Sequence, residues 1–220
     1  MRSPYFLVVG LALAFVACRP NRPKAVVFEL PASVPSMVVP PDNPTTVEGI
    51  ALGRYLFYDP VLSVDSTQSC ASCHDPSKAF SDAGAITSEG AVKGVFGSRN
   101  TPSLTYLKFA PEFHRTPWAE WRGGLFWDGR ADDFAEQASE PFFSAHEMNS
   151  KPKLLAAALR SSGYSQFLVQ LYGEEVLTND EAIIAAAANA LAEFQKSDIF
   201  SPFDSKFDYA RAGLLSLSEA

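Results

Sequence analysis

Apolar residues recur at helical spacing in four stretches of the chain, and no region shows the sustained two-residue alternation of strands. Val47, Ile50, Ala51 and Phe57 define the first, starting near Thr45 or Thr46 and stopping at Asp59-Pro60, since proline disfavours helical backbone at the residue before it. Three more helices are predicted at about 132–140, 151–160 and 179–195, the last carrying the Ala-rich run AIIAAAANALAEF; Pro202 and a polar tail then break it. Between them, the Gly- and Ser-rich stretch Ser81–Ser98 reads as a surface loop. Residues 101–130 are aromatic and proline-rich, with Trp118, Trp121 and Trp127 close together and no helical period. The pattern predicts a mainly α protein without repeats.

The N-terminus adds an address. Arg2 precedes an apolar run from Tyr5 to Val16 that is short for a bilayer span and ends in Phe-Val-Ala-Cys. That ending resembles the lipobox of bacterial lipoprotein signals, so residues 1–17 are expected to be removed and Cys18 acylated. The expected location is the bacterial envelope, on the periplasmic side, anchored by two or three acyl chains. An ordinary cleaved signal or a retained anchor is the alternative. Residues 18–44 hold seven prolines and few charges, suiting a tether. The expected organisation is signal peptide 1–17, tether 18–44, folded domain 45–200 and connector 201–220.

With 220 residues, 47% hydrophobic and 20% charged, the chain can bury a real core. A net charge of −7 argues against a nucleic-acid partner, which would call for a basic face. An acidic surface could steer a basic redox partner.

Three cysteines are present, and setting Cys18 aside leaves Cys70 and Cys73 in Cys-Ala-Ser-Cys-His. Two thiols one helical turn apart can add to the two vinyl groups of one haem, and His74 is then placed to ligate its iron. A disulfide and a half zinc site are the alternatives, the second lacking another ligand pair. Iron held by histidine on one side either carries electrons with its sixth position closed or reacts with a small oxidant through an open one. Internal sixth ligands are few: His114, His146, Met37 and Met148. Composition does not separate the two cases.

From about Gly49 to Gly213 the chain resembles the N-terminal haem domain of bacterial di-haem cytochrome c peroxidases, a family that includes the MauG tryptophylquinone-forming enzymes. The resemblance rests on Gly-Arg-Tyr-Leu-Phe-Tyr-Asp-Pro (53–60), Ser-Cys-Ala-Ser-Cys-His (69–74), Arg-Asn-Thr-Pro-Ser-Leu (99–104) and Leu-Phe-Trp-Asp-Gly-Arg-Ala (125–131), then Gln137 and Glu147-Met148-Asn149. It implies a cytochrome c-like haem domain with long loops, carrying one covalent haem c. The activity implied is reduction of hydrogen peroxide to water with electrons from a small envelope cytochrome or similar donor. It assigns Glu147 as the distal acid/base, Gln137 as its hydrogen-bond partner, Trp127 to the electron route between two haems and Asn100 to a calcium site. Without it, Glu147 and Gln137 read as solvated polar groups, Trp127 as core, and Arg99 and Arg130 as surface or structural ion pairs. A mono-haem electron-transfer cytochrome and a MauG-like oxidase are the alternatives, and family members are often homodimers.

Two departures qualify the resemblance. Many members close the peroxidatic iron with a loop histidine eight residues before the Arg-Asn asparagine; here that position is Val92, and no histidine lies between Asp75 and Glu112. An open or water-bound sixth position is expected. The family also has a C-terminal domain with its own Cys-x-x-Cys-His, whereas this chain stops at Leu-Ser-Glu-Ala, about where that domain would begin. The expectation is a fragment.

Overall fold

The packing is organised by one helix that four of the others contact. A computed structural model describes residues 22–217 except 33, 35, 38 and 83. Residues 1–17, the expected signal peptide, and Cys18 lie outside the described residues. Among the described residues seven α-helices follow in chain order: α1 (Val47–Tyr58), α2 (Cys70–Cys73), α3 (Phe134–Phe143), α4 (Pro152–Ser161), α5 (Ser165–Tyr172), α6 (Asp180–Gln195) and α7 (Lys206–Arg211). The only sheet among the described residues is the two-stranded hairpin β1 (His114–Arg115) and β2 (Trp121–Arg122), antiparallel with His114 opposite Arg122. No described helix is long and apolar enough to cross a membrane.

Helix α6 is the hub, contacting α1, α3, α4 and α5. Asn179 caps it by accepting from the N–H groups of Glu181 and Ala182. Its alanines let neighbours approach closely, most of all α1, where a Cβ on Gly53 would stand 1.9 Å from the Ala190 carbonyl oxygen. The α1 face turned inward is therefore Gly49, Leu52, Gly53, Leu56 and Phe57, while Val47, expected in the apolar stripe, is 53% exposed. Apolar periodicity overlooks glycines that face a helix because they are small. Each fully buried leucine of this core contributes about 1.5–3 kcal/mol.

The α1–α6 contact is also tied by polar groups. The Thr46 hydroxyl caps α1 by accepting from Gly49 N–H at 2.9 Å, and donates to Glu193 Oε2 at 2.8 Å. Thr46 N–H donates to the same oxygen at 2.6 Å. Within the proline-rich stretch, Ala25 forms a β-bridge with Thr46 and Lys24 N–H donates to Glu48, so this part runs against the start of α1.

The predicted helices at 132–140, 151–160 and 179–195 correspond to α3, α4 and α6. Helices α5 and α7 were not predicted. At eight residues α5 is too short to hold without partners, and it forms because Leu168 buries completely. Within the polar tail, α7 begins with a reciprocal Ser205–Asp208 capping box, a sequence signal obscured by the polarity around it.

Candidate haem site

Cys70 and Cys73 lie at the two ends of the single turn α2, whose N-terminus is held by Ser69 N–H donating to Ser72 Oγ at 3.0 Å. Neither forms a disulfide. Burial pushes the Cys70 thiol up to about 12, with Cys73 adding to it, and burial raises Cys73 as well. A redox dithiol needs a thiol shifted the other way, so the disulfide reading loses its chemistry.

His74 follows the turn, and two consecutive left-handed residues, Ala79 (φ 53°) and Phe80 (φ 56°), fold the chain back over it. The Phe80 carbonyl accepts from His74 Nδ1 at 2.8 Å, which fixes Nδ1 as the protonated nitrogen and leaves Nε2 as the ligating atom. The Phe80 ring enters the core against Phe57 and Phe200. Burial lowers the His74 pKa, against the pull of the Phe80 and Pro102 carbonyls, favouring the neutral ring that metals require.

Cys73 and His74 face a cavity of about 430 Å³, within the range of cofactor sites. Cys73, His74, Trp127, Gln137, His146 and Glu147 line it, and a smaller lobe of about 70 Å³ touches Cys70, Gln137 and Glu147. Two free thiols, a neutral imidazole and a void of this size in one place fit a covalently held haem.

Glu147 sits four residues beyond the end of α3. It is exposed along the cavity it lines, while the protein packed around its carboxyl pushes its pKa up. Ser144, Arg130 and His146 oppose that shift and Glu140 adds to it. The segment is clamped by the loop predicted to lie free on the surface. Ala91 N–H donates to Glu147 O at 2.7 Å, and His146 Nδ1 bonds Phe96 O at 3.1 Å. Gly90 is required here, because a Cβ would stand 2.5 Å from His146 O. Gln137 is on α3 one turn before Pro141, which has no N–H to return to the Gln137 carbonyl.

Trp127 also lines the cavity rather than the core, 61% exposed, its Nε1 donating to Asn100 O at 2.7 Å. The Asn100 amide donates to Ile86 O at 3.0 Å. No group of three or more His, Cys, Asp or Glu side chains suited to a metal occurs among the described residues, so Asn100 would be one oxygen ligand without a carboxylate cluster. Arg99 and Arg130 do form ion pairs, joined through Asp128, with Arg130 also held by Glu140 and stacked on Phe126 at 3.6 Å. What the sequence left unseen is that both arginines line the cavity. His114 and Val92 do not line it; His114 lies on the hairpin with Nδ1 bonded to Glu112 O. Gln68 and Gln195, which carried no sequence signal, line the small lobe.

A family model described as di-haem cytochrome c peroxidase matches residues 47–214. The methylamine utilization protein MauG of Paracoccus denitrificans is 45% identical over 170 residues, covering 74% of this chain and 44% of that protein. The cytochrome c peroxidase Ccp of Escherichia coli is 34% identical over 174 residues, 77% of this chain and 33% of that one. The crystal structure of the diheme peroxidase BthA from Burkholderia thailandensis superposes with a TM-score of 0.73 at 33% identity, covering 90% of this chain and 52% of that chain. The chain spans about half the length of these relatives or less.

Proposed function

Since this chain belongs to the di-haem cytochrome c peroxidase family, we propose that it carries a haem c on Cys70, Cys73 and His74 and reduces hydrogen peroxide to water with electrons from an envelope redox donor. The observation that carries this reading is a carboxyl of raised pKa, Glu147, lining the same cavity as the neutral imidazole of His74. A haem held by Cys70, Cys73 and His74 Nε2 would supply an iron able to bind peroxide and to deliver electrons to it.

The protein's residues handle the protons. As a carboxylate, Glu147 takes the proton from one peroxide oxygen and delivers it to the other, which leaves as water. Two electrons and two further protons complete the conversion of one peroxide to two waters. The upward shift makes the carboxyl hold a proton more readily than an ordinary glutamate does. Gln137, which lines the same cavity, can hold the peroxide or its product by hydrogen bonds without carrying charge. Arg99 and Arg130, joined through Asp128, put guanidinium groups on the cavity wall.

In the haem-loaded protein, Glu147→Gln is expected to slow the single-turnover reaction with peroxide, followed at the Soret band, by about 10²–10⁴-fold with haem loading intact. An unchanged rate would remove Glu147 from the chemistry. The second reading is a MauG-like oxidase acting on a protein or small molecule, favoured by the higher identity to MauG than to Ccp. The sequence around Cys18 supports placing the protein on the envelope membrane. Cys18→Ser should then release it to the soluble fraction, and retention on membranes would count against the anchor.

A further inference from the structure

A second cavity, of about 380 Å³, contains none of the haem-attachment residues and plays no part in the peroxidase reading. Leu107 and Leu125 line both cavities, so the two share a wall. Phe134 and Ala192 extend the apolar side of the second one. Its cation is Lys196, which follows the last residue of α6 and is 3% exposed. Among the described residues no hydrogen bond or ion pair reaches Lys196 Nζ. The atom is not sealed off either, so a small molecule can touch it. Lys108, the other buried lysine on this wall, is already engaged, donating to Lys196 O at 3.1 Å and to Asp198 at 3.3 Å. Burial lowers the pKa of Lys196, while Glu193, Asp133 and Asp42 oppose that shift without forming an ion pair with it. A buried ammonium with no bonded partner is unfavourable, and a methionine here would avoid the cost.

The acids on this cavity are placed differently. Asp42, Asp132 and Asp133 line it from exposed positions, and Asp133 is occupied in capping α3. The space therefore runs from a buried cation, past an apolar wall, to carboxylates at its mouth. We propose that it binds a free amino acid with an apolar side chain. The carboxylate would sit on Lys196, the ammonium toward Asp42 and Asp132, and the side chain against Leu107, Leu125 and Phe134. A simple anion would satisfy Lys196 but be repelled by the carboxylates at the mouth. A simple amine would suit the mouth and leave Lys196 without a partner. A zwitterion answers both ends, and the volume lies within the range of small-molecule sites. The site does not rest on the proposed function.

The test is isothermal titration calorimetry of the haem-loaded protein at neutral pH with leucine, isocaproate and isopentylamine. The second probe is leucine without its ammonium, and the third is leucine without its carboxylate. Leucine is expected to bind, with isopentylamine at least about 10-fold weaker, since it leaves the buried lysine unpaired. Isocaproate should be weaker by roughly 2–5-fold, because it loses only an exposed charge contact. Lys196→Met should weaken leucine by at least about 10-fold and leave isopentylamine unchanged. Should that variant fail to fold, the double variant Asp42→Asn, Asp132→Asn changes only exposed side chains and leaves the Asp133 cap in place. It should weaken leucine by roughly 2–5-fold and not weaken isocaproate. No heat of binding with leucine, an affinity for either analogue equal to that for leucine, or leucine binding indifferent to these substitutions would overturn the proposal.

Discussion

Replacing Gly90 with alanine separates the cost of folding from the cost of misplacing Glu147. The added Cβ would lie 2.5 Å from His146 O, 2.7 Å from its carbon and 3.0 Å from Glu147 O, all backbone atoms that cannot rotate away. Ordinary contact needs a further ~0.7 Å or more, so either the 88–97 loop lifts or the 146–147 backbone retreats. Lifting the loop strains the bonds from Ala91 N–H to Glu147 O and from His146 to Phe96 O. Overpacking of this kind costs about 1–3 kcal/mol, measured as a lower midpoint in urea unfolding. A carboxyl displaced by nearly 1 Å can slow the reaction by up to about 10²-fold. The control is Gly94→Ala in the same loop. Its φ of 82° makes alanine strained, yet nothing lies within 4 Å of the new methyl. That variant should lose stability and keep its single-turnover rate with peroxide. If the two variants react equally fast, the loop does not position Glu147.

Stability against pH offers a second readout. The folded pKa of Glu147 is raised, so its contribution is fully present below pH 4.5 and is lost as pH rises through the folded value. Glu147→Gln should therefore be more stable than the parent in denaturant at neutral pH, with the difference shrinking as pH falls through the folded value toward 4.5; a constant difference across that range would refute the raised pKa. Gly53→Ala must push α1 off α6, with Ala190 O at 1.9 Å and Phe194 Cβ at 2.8 Å from the new methyl. It should cost at least the ~1–3 kcal/mol of overpacking in thermal unfolding, and a loss below ~0.5 kcal/mol would show the interface to be loose. With Val92 outside the cavity, ferric haem should give a high-spin paramagnetic resonance signal, and a purely bis-histidine low-spin spectrum would contradict an open sixth position.

The amino-acid sequence alone determined whatever is encoded within a few residues. Cys70, Cys73 and His74 are contiguous, so their spacing specifies the attachment chemistry before any folding. Thr46, Asp59-Pro60 and Asn179 mark helix ends through local hydrogen bonds and backbone restriction. The resemblance extended this to Glu147, Gln137 and Trp127, which the fold does bring to one cavity with His74. Tertiary structure decided the rest. The 81–98 segment has no periodicity and read as a surface loop, but its backbone bonds to Glu147 and His146 make it the clamp of the site. Gly49 and Gly53 replaced the expected Val47 on the inner face of α1, because close approach to α6 selects for a missing side chain. Gln68 and Gln195 are far apart in sequence and ordinary as residue types. Only packing buries both against one small void, and only burial turns an amide oxygen into a demand for a partner.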